Sequence, residues 1–127
     1  MKHINPDTIT APASNYSQGV VVQKNAERLL ISGQIGVNPD GQLAQGMAAQ
    51  MERCWLNIFG VLDAANMSKH DLVKITVFVT DPNATALYRD IRDRMLGGHA
   101  PAATYLVVSA LASPDFLVEI EAEAVKE

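Results

Sequence analysis

Two periodicities organise the apolar positions of this chain. From Met47 onward Met51, Cys54, Trp55, Ile58 and Leu62 recur at steps of three and four, one stripe of an α-helix. Gln50, Arg53 and Asn57 fall off that stripe and are expected to face water. The helix should fail near Ala65-Asn66, because asparagine accepts the left-handed conformation that closes helices. A second helix is predicted over Ala84 to Leu96, with Leu87, Tyr88, Ile91 and Met95 on one face and Gly97-Gly98-His99-Ala100-Pro101 ending it. Elsewhere the period is two. Val73, Ile75, Val77 and Val79 alternate with Lys74, Thr76 and Phe78, and Thr80-Asp81-Pro82-Asn83 stops that strand. From Phe116 to Val125, Phe116, Val118, Ile120, Ala122 and Ala124 go to one side, while Leu117, Glu119, Glu121 and Glu123 go to the other. Thr104 to Val108 is a further β-branched run, set off by the turn Ser113-Pro114-Asp115. Val20-Val21-Val22 and Leu29-Leu30-Ile31, separated by Lys24-Asn25-Ala26-Glu27, read as a hairpin, and Asn38-Pro39-Asp40-Gly41 reads as a loop.

The order strand, strand, helix, strand, helix, strand, strand defines an α+β domain spanning residues 1–127, with one sheet and too few helices to cover both faces. With 48% hydrophobic residues and the run Tyr105-Leu106-Val107-Val108, the uncovered face is expected to pack against sister subunits. Ten basic and fourteen acidic residues give a net charge of −4, which disfavours a nucleic-acid binder built on a basic face and suits a protein that handles small molecules. The N-terminus Met1-Lys2-His3-Ile4-Asn5-Pro6-Asp7 lacks an apolar leader region, and no run approaches the roughly 20 apolar residues of a membrane span, so a cytoplasmic location without membrane association is expected.

Few residues suggest chemistry. Cys54 cannot form an internal disulfide, lies on a helix stripe with Met51 and Trp55, and reads as core. His3, His70 and His99 are scattered and show no metal-ligand spacing with it, so no metal is expected. Arg89, Arg92 and Arg94, interleaved with Asp90 and Asp93, have the pattern of a solvated helix surface. Ser32-Gly33-Gln34 follows an apolar strand, where a glycine lets a ligand or another backbone come close, but it lacks the lysine and glycine spacing of a phosphate loop. Tyr16 precedes the first strand and is placed to line a cleft mouth. Glu119, Glu121 and Glu123 stand roughly 7 Å apart along one strand face. The plain alternative for each is a solvated glutamate, which fits Glu123 best; a carboxylate held under an apolar lid instead becomes a proton shuttle.

Four segments in order, Tyr16-Ser17-Gln18-Gly19-Val20, Ile31-Ser32-Gly33-Gln34-Ile35, Val73 to Asp81 and Val118-Glu119-Ile120-Glu121-Ala122, resemble the signatures of the reactive intermediate deaminase (RidA, or YjgF) family, and the match covers nearly the whole chain. The resemblance implies a chorismate-mutase-like α+β fold, one mixed sheet with two helices on one face, and a homotrimer whose sheets form a central barrel with three clefts between subunits. It also implies hydrolysis of small imines or enamines to a carbonyl compound and ammonia, without metal or cofactor. Carried over by motif, Glu119 would position and deprotonate the attacking water, Tyr16 would line the cleft, and Ser32 with the Gly33 backbone would fix the substrate's polar end.

Two departures matter. The family's Pro-Ala-Arg motif, whose arginine grips the substrate carboxylate, reads Pro101-Ala102-Ala103, and Tyr105 stands where many members carry a small residue or cysteine. Loss of a bidentate arginine contact implies a penalty of about 10²- to 10⁴-fold on ordinary 2-imino acids. Arg89 falls on the second helix near a position where the family often has a cleft asparagine, and its guanidinium would reach the same carboxylate from another wall. A non-catalytic trimer that binds a small metabolite in the same clefts is the alternative from a different class. The ribonuclease activity sometimes attached to the family ranks third, since a chain of net charge −4 offers little to attract phosphates.

Overall fold

The computed structural model describes residues 1–127 and has the element order β1 (Lys2–Ile4), β2 (Gly19–Val21), β3 (Glu27–Ile35), α1 (Met47–Ala64), a 3₁₀ turn over Lys69–Asp71, β4 (Leu72–Val79), α2 (Thr85–Leu96), β5 (Ala102–Val107) and β6 (Val118–Lys126). The main sheet runs β3-β6-β4-β5. It is mixed: β6 pairs antiparallel with β3 and β4, whereas β4 and β5 are parallel and joined through α2.

Strand alternation sorts the sheet into two faces. Ile75, Val77 and Val79 of β4 stand beside Ala122, Ile120 and Val118 of β6, and all are buried under the helices. They meet Met51, Cys54, Trp55, Ile58 and Leu62 of α1 and Tyr88, Ile91 and Leu96 of α2 in one core. The opposite face carries Phe78, Leu106 and Leu30 among the polar residues of β4 and β6, and Leu30 is 68% exposed. Two helices therefore cover one face and leave the other open, as the element count implies. α1 ends where expected, with Asn66 left-handed at φ 57°, and α2 closes on Gly97 at φ 60°, whose N–H bonds the Asp93 carbonyl at 3.0 Å.

Four expectations need correction. The hairpin of Val20–Val22 with Leu29–Ile31 does not form: β2 pairs with β1, and β3 pairs with β6, whose nine residues offer a longer apolar partner than a three-residue strand. Gln50 does not face water. It is 2% exposed, donating to the Ala44 and Asp115 carbonyls at 3.1 Å each and accepting from the Leu117 N–H at 2.9 Å. Asn57 likewise turns inward, bonding the carbonyls of Ile35 and Val37 at 3.1 Å, with Arg53 donating to its oxygen. On α2, Leu87 is 38% exposed and its place on the buried face is taken by Arg92 and Leu96. Strand ends shift by one or two residues, β5 beginning at Ala102 and β6 at Val118.

Candidate active site

The residues singled out by sequence fall into two groups on opposite faces of the sheet. The first is built where β3 breaks register with β6 between Ile31 and Gln34. This irregularity carries Ser32 and Gly33, and Gly33 lies directly under the carboxyl group of Glu119. A Cβ at position 33 would stand 1.9 Å from Glu119 Oε2 and 2.9 Å from its Cδ. Only glycine leaves room for that approach. Glu119, opposite Ile35 on one side and Phe78 on the other, is half-buried and belongs to the open face. Beneath it, Cys54 is buried and its thiol is pushed up to about 12, by burial first and the Glu119 carboxylate second. Such a thiol is inert at neutral pH, which fits its place in the core. Glu121 is exposed, and Glu123 makes a surface pair with Arg28 at 2.8 Å.

The second group surrounds a cavity of about 210 Å³ at the β5 edge. β5 contributes Ala103, Thr104 and Tyr105; α2 contributes Thr85, Tyr88, Arg89 and Arg92; the segment before β2 contributes Ser14 and Tyr16. Ala103 and Tyr105 face the helices because their register partners, Ile75 and Val77, are buried there. The Tyr88 and Tyr105 rings pack at 4.9 Å between centroids. Tyr16 reaches the cavity because its neighbours are stitched to β5 and the loop before it. Ser17 bridges to Ala102, its N–H bonds the Pro101 carbonyl at 3.1 Å, and Asn15 donates to the Gly98 carbonyl at 3.2 Å.

Tyr16, Arg89, Ala103 and Tyr105 are thus brought together, as are Ser32, Gly33 and Glu119, but the two sets are not joined within one protomer. β4 lies between β5 and β6, so the groups are separated by roughly 10 Å across the sheet as well as by its thickness.

Arg92 is the residue that sequence reasoning missed. It is 4% exposed, and a solvated surface is therefore the wrong description of it. Its Nε and Nη2 donate to Asp93 Oδ1 at 3.0 and 2.9 Å, its Nη1 donates to Ser14 Oγ at 3.4 Å, and its guanidinium lies 5.7 Å from the Tyr88 ring centre. Burial raises the Tyr88 phenol well above its ordinary value, and the positive charge of Arg92 opposes that rise. The i, i+4 spacing of Tyr88 and Arg92 was the available signal, but it was masked by the alternating charges around it.

The three histidines are not scattered in space. His99 packs edge-on against His3 and His70 at 5.7 and 5.8 Å between ring centroids, with Nε2 on the Leu72 carbonyl at 2.7 Å. His3 Nδ1 bonds the Ser17 hydroxyl at 2.7 Å. No cluster of three or more histidine, cysteine, aspartate or glutamate side chains has the arrangement of a metal site.

An α+β chain with a carboxylate held over a strand glycine, and a small polar cavity at the sheet edge, has the parts of a small-molecule binding or hydrolytic protein. Residues 8–126 match the Endoribonuclease L-PSP family. The chain is 33% identical, over 98% of both chains, to the 2-iminobutanoate/2-iminopropanoate deaminase of Escherichia coli. It is 36% identical to a RutC family protein of Pyrococcus horikoshii, covering 91% of this chain and 90% of the relative. Among solved structures it resembles YyfB of Yersinia pestis, described as a protein of unknown function of the conserved Rid family, with a TM-score of 0.85 and 30% identity over 98% of both chains. The chain therefore belongs to the Endoribonuclease L-PSP family, also called the RidA/YjgF family.

Proposed function

We propose that this protein is a RidA-like deaminase that hydrolyses small reactive imines or enamines to a carbonyl product and ammonia. The observation that carries this is the Glu119 carboxyl group seated over Gly33, in the strand irregularity that also carries Ser32. Glu119 accepts a proton from water as the water oxygen adds to the imine carbon. Glu119 returns that proton to the nitrogen, giving a carbinolamine. The carbinolamine's hydroxyl proton then passes through the same carboxylate to the amino group, the C–N bond breaks and ammonia leaves as the carbonyl forms. An enamine first tautomerises to the imine by moving its N–H proton to carbon. Ser32 and the backbone at Gly33 hold the polar end of the substrate. No step in this sequence calls for redox chemistry.

A complete site needs both groups of residues, and in one protomer they lie on opposite faces. We therefore place the reaction in clefts between subunits of a homotrimer whose sheets form a central barrel, with the open face as the subunit interface. The exposed Leu30 and Leu106 support this assembly, since apolar side chains in a sheet face are stabilised by cover. Tyr16, Arg89, Ala103 and Tyr105 then form the wall facing Glu119 of a neighbouring subunit. With Ala103 in place of the family's arginine and Tyr105 filling part of the pocket, substrate preference is altered.

The test is an imine-hydrolysis assay with imines generated in place by an amino-acid oxidase. Wild type is expected to accelerate carbonyl release, and Glu119→Ala to lose about 10²- to 10⁴-fold of that rate. Full activity in Glu119→Ala would reject the mechanism. Ligand-induced stabilisation without turnover by wild type would favour a metabolite-binding trimer instead.

A further inference from the structure

We propose that Arg92 is the residue that holds an anionic ligand in the β5-edge cavity, and that the group it takes is the carboxylate of a small monocarboxylic acid. This rests on the reading of that cavity as one wall of the proposed site. A guanidinium has five N–H donors, and the structure commits three of those on Arg92, two to Asp93 and one, at a long 3.4 Å, to Ser14. Two donors remain, one on each terminal nitrogen, the edge that matches a carboxylate.

The group is already held in place: it is 4% exposed, tied to Asp93 and lodged 5.7 Å from the Tyr88 ring centre, so little freedom is lost when a ligand binds. A second, independent observation points the same way. The phenol oxygens of Tyr88 and Tyr105, both residues of the cavity wall, are buried without any hydrogen-bond partner, and Tyr88 as a whole is only 3% exposed. Orphaned buried hydroxyls are uncommon in folded proteins and call for an acceptor or donor supplied by something else.

Size and charge narrow the ligand. Ala103 is small enough to leave about 210 Å³, room for an acid of a few carbons. Arg89 and Arg92 line the cavity, and Asp93, paired with Arg92, balances one of the two charges, so the cavity keeps a net charge of one for a ligand that the free N–H groups of Arg92 hold by hydrogen bonds. A monocarboxylate balances it and a phosphate dianion does not. Arg92 thereby supplies from α2 what a strand arginine at position 103 would supply from β5, a role that the more exposed Arg89 had seemed better placed to fill.

The experiment is calorimetric titration of the full-length protein at constant ionic strength with 2-oxobutanoate, with butanamide as a neutral counterpart and with inorganic phosphate. The acid is expected to bind, and the amide and phosphate to bind at least about 10-fold more weakly. Arg92→Lys, which keeps the charge but loses the fork, should weaken acid binding by about 10-fold, and Arg92→Gln by about 100-fold. Arg94→Gln, on the surface beside Glu52, should bind like wild type. If Arg92→Gln fails to fold, Arg92→Lys and Tyr88→Phe decide the matter. Undiminished acid binding in Arg92→Lys, equal affinity for the amide, tighter binding of phosphate, or no acid binding by wild type would each overturn the assignment. Glu119→Ala should keep acid binding while losing turnover. Intact Glu119-dependent turnover with no effect of Arg92 would sink this inference alone, and Arg92-dependent binding without turnover would sink only the deaminase reading.

Discussion

Replacing Gly33 by alanine is expected to separate the proposed catalysis from stability. The new Cβ would lie 1.9 Å from Glu119 Oε2 and 3.1 Å from its Cγ, whereas ordinary contact begins near 3.4 Å. The carboxyl group must therefore retreat by about 1.5 Å, the gap between the two distances, which is the order of misplacement that costs roughly 10²-fold in rate. The atoms met first belong to the end of a flexible side chain, and Gly33 does not need a left-handed backbone, so the fold absorbs the change. Loss of glycine's freedom in the unfolded chain offsets part of the strain, and stability should stay within about 1 kcal/mol of wild type. Imine hydrolysis and urea denaturation of the same preparation check both halves. Gly33→Ala combined with Glu119→Ala should be no slower than Glu119→Ala alone, because both remove one function. A Gly33→Ala protein with wild-type turnover would refute the claim that the seat over this glycine positions the catalytic carboxylate.

Other expectations follow from the packing and the charges. Gln50→Leu strands the Ala44 and Asp115 carbonyls and the Leu117 N–H, and should cost about 3 kcal/mol in denaturant titration. Ile58→Ala empties a fully buried position between α1 and the sheet, with an expected loss of about 2–5 kcal/mol by the same measurement. His99 is held below its usual 6.5 chiefly by burial, with the Leu72 carbonyl opposing and the neighbouring His3 and His70 reinforcing the depression. The unfolded chain therefore binds the proton first, so the contribution of neutral His99 is full above 6.5 and is lost as pH falls through the lower folded value. Urea midpoints between pH 7.5 and 5 should fall less steeply for His99→Gln than for wild type; identical slopes would contradict the assignment.

Long periodic segments made most of the fold legible. The α1 stripe, the alternation of β4 and the alternation of β6 each repeat a period over several residues, and tertiary packing reinforces them. What stayed hidden depends on partners distant in sequence. The strand Lys2–Ile4 is too short and polar to announce itself, and it claims β2 through pairing that no local pattern reveals. Gln50 is buried because Gly36 lets the chain pass against α1, a Cβ there falling 2.7 Å from the Gln50 Cα, and because the loop just before α1 and a distant one at Asp115 offer backbone groups to its amide. Arg92 is buried because Ser14, far away in the chain, and the Tyr88 ring receive it. For the site, sequence motifs identify individual residues, but strand register and order determine that Glu119 and the cavity lie on opposite faces, two strands apart.

That separation makes the cleft between subunits the central claim, and mixing two inactive variants tests it directly. Glu119→Ala removes the carboxylate from one wall, and Ala103→Phe blocks the cavity of the other. Unfolded together in equal amounts and refolded, random trimers should regain roughly a quarter of wild-type imine hydrolysis, since one adjoining pair of intact walls in four comes together by chance. Mixtures as inactive as either parent would place the whole site within one protomer and contradict the shared cleft.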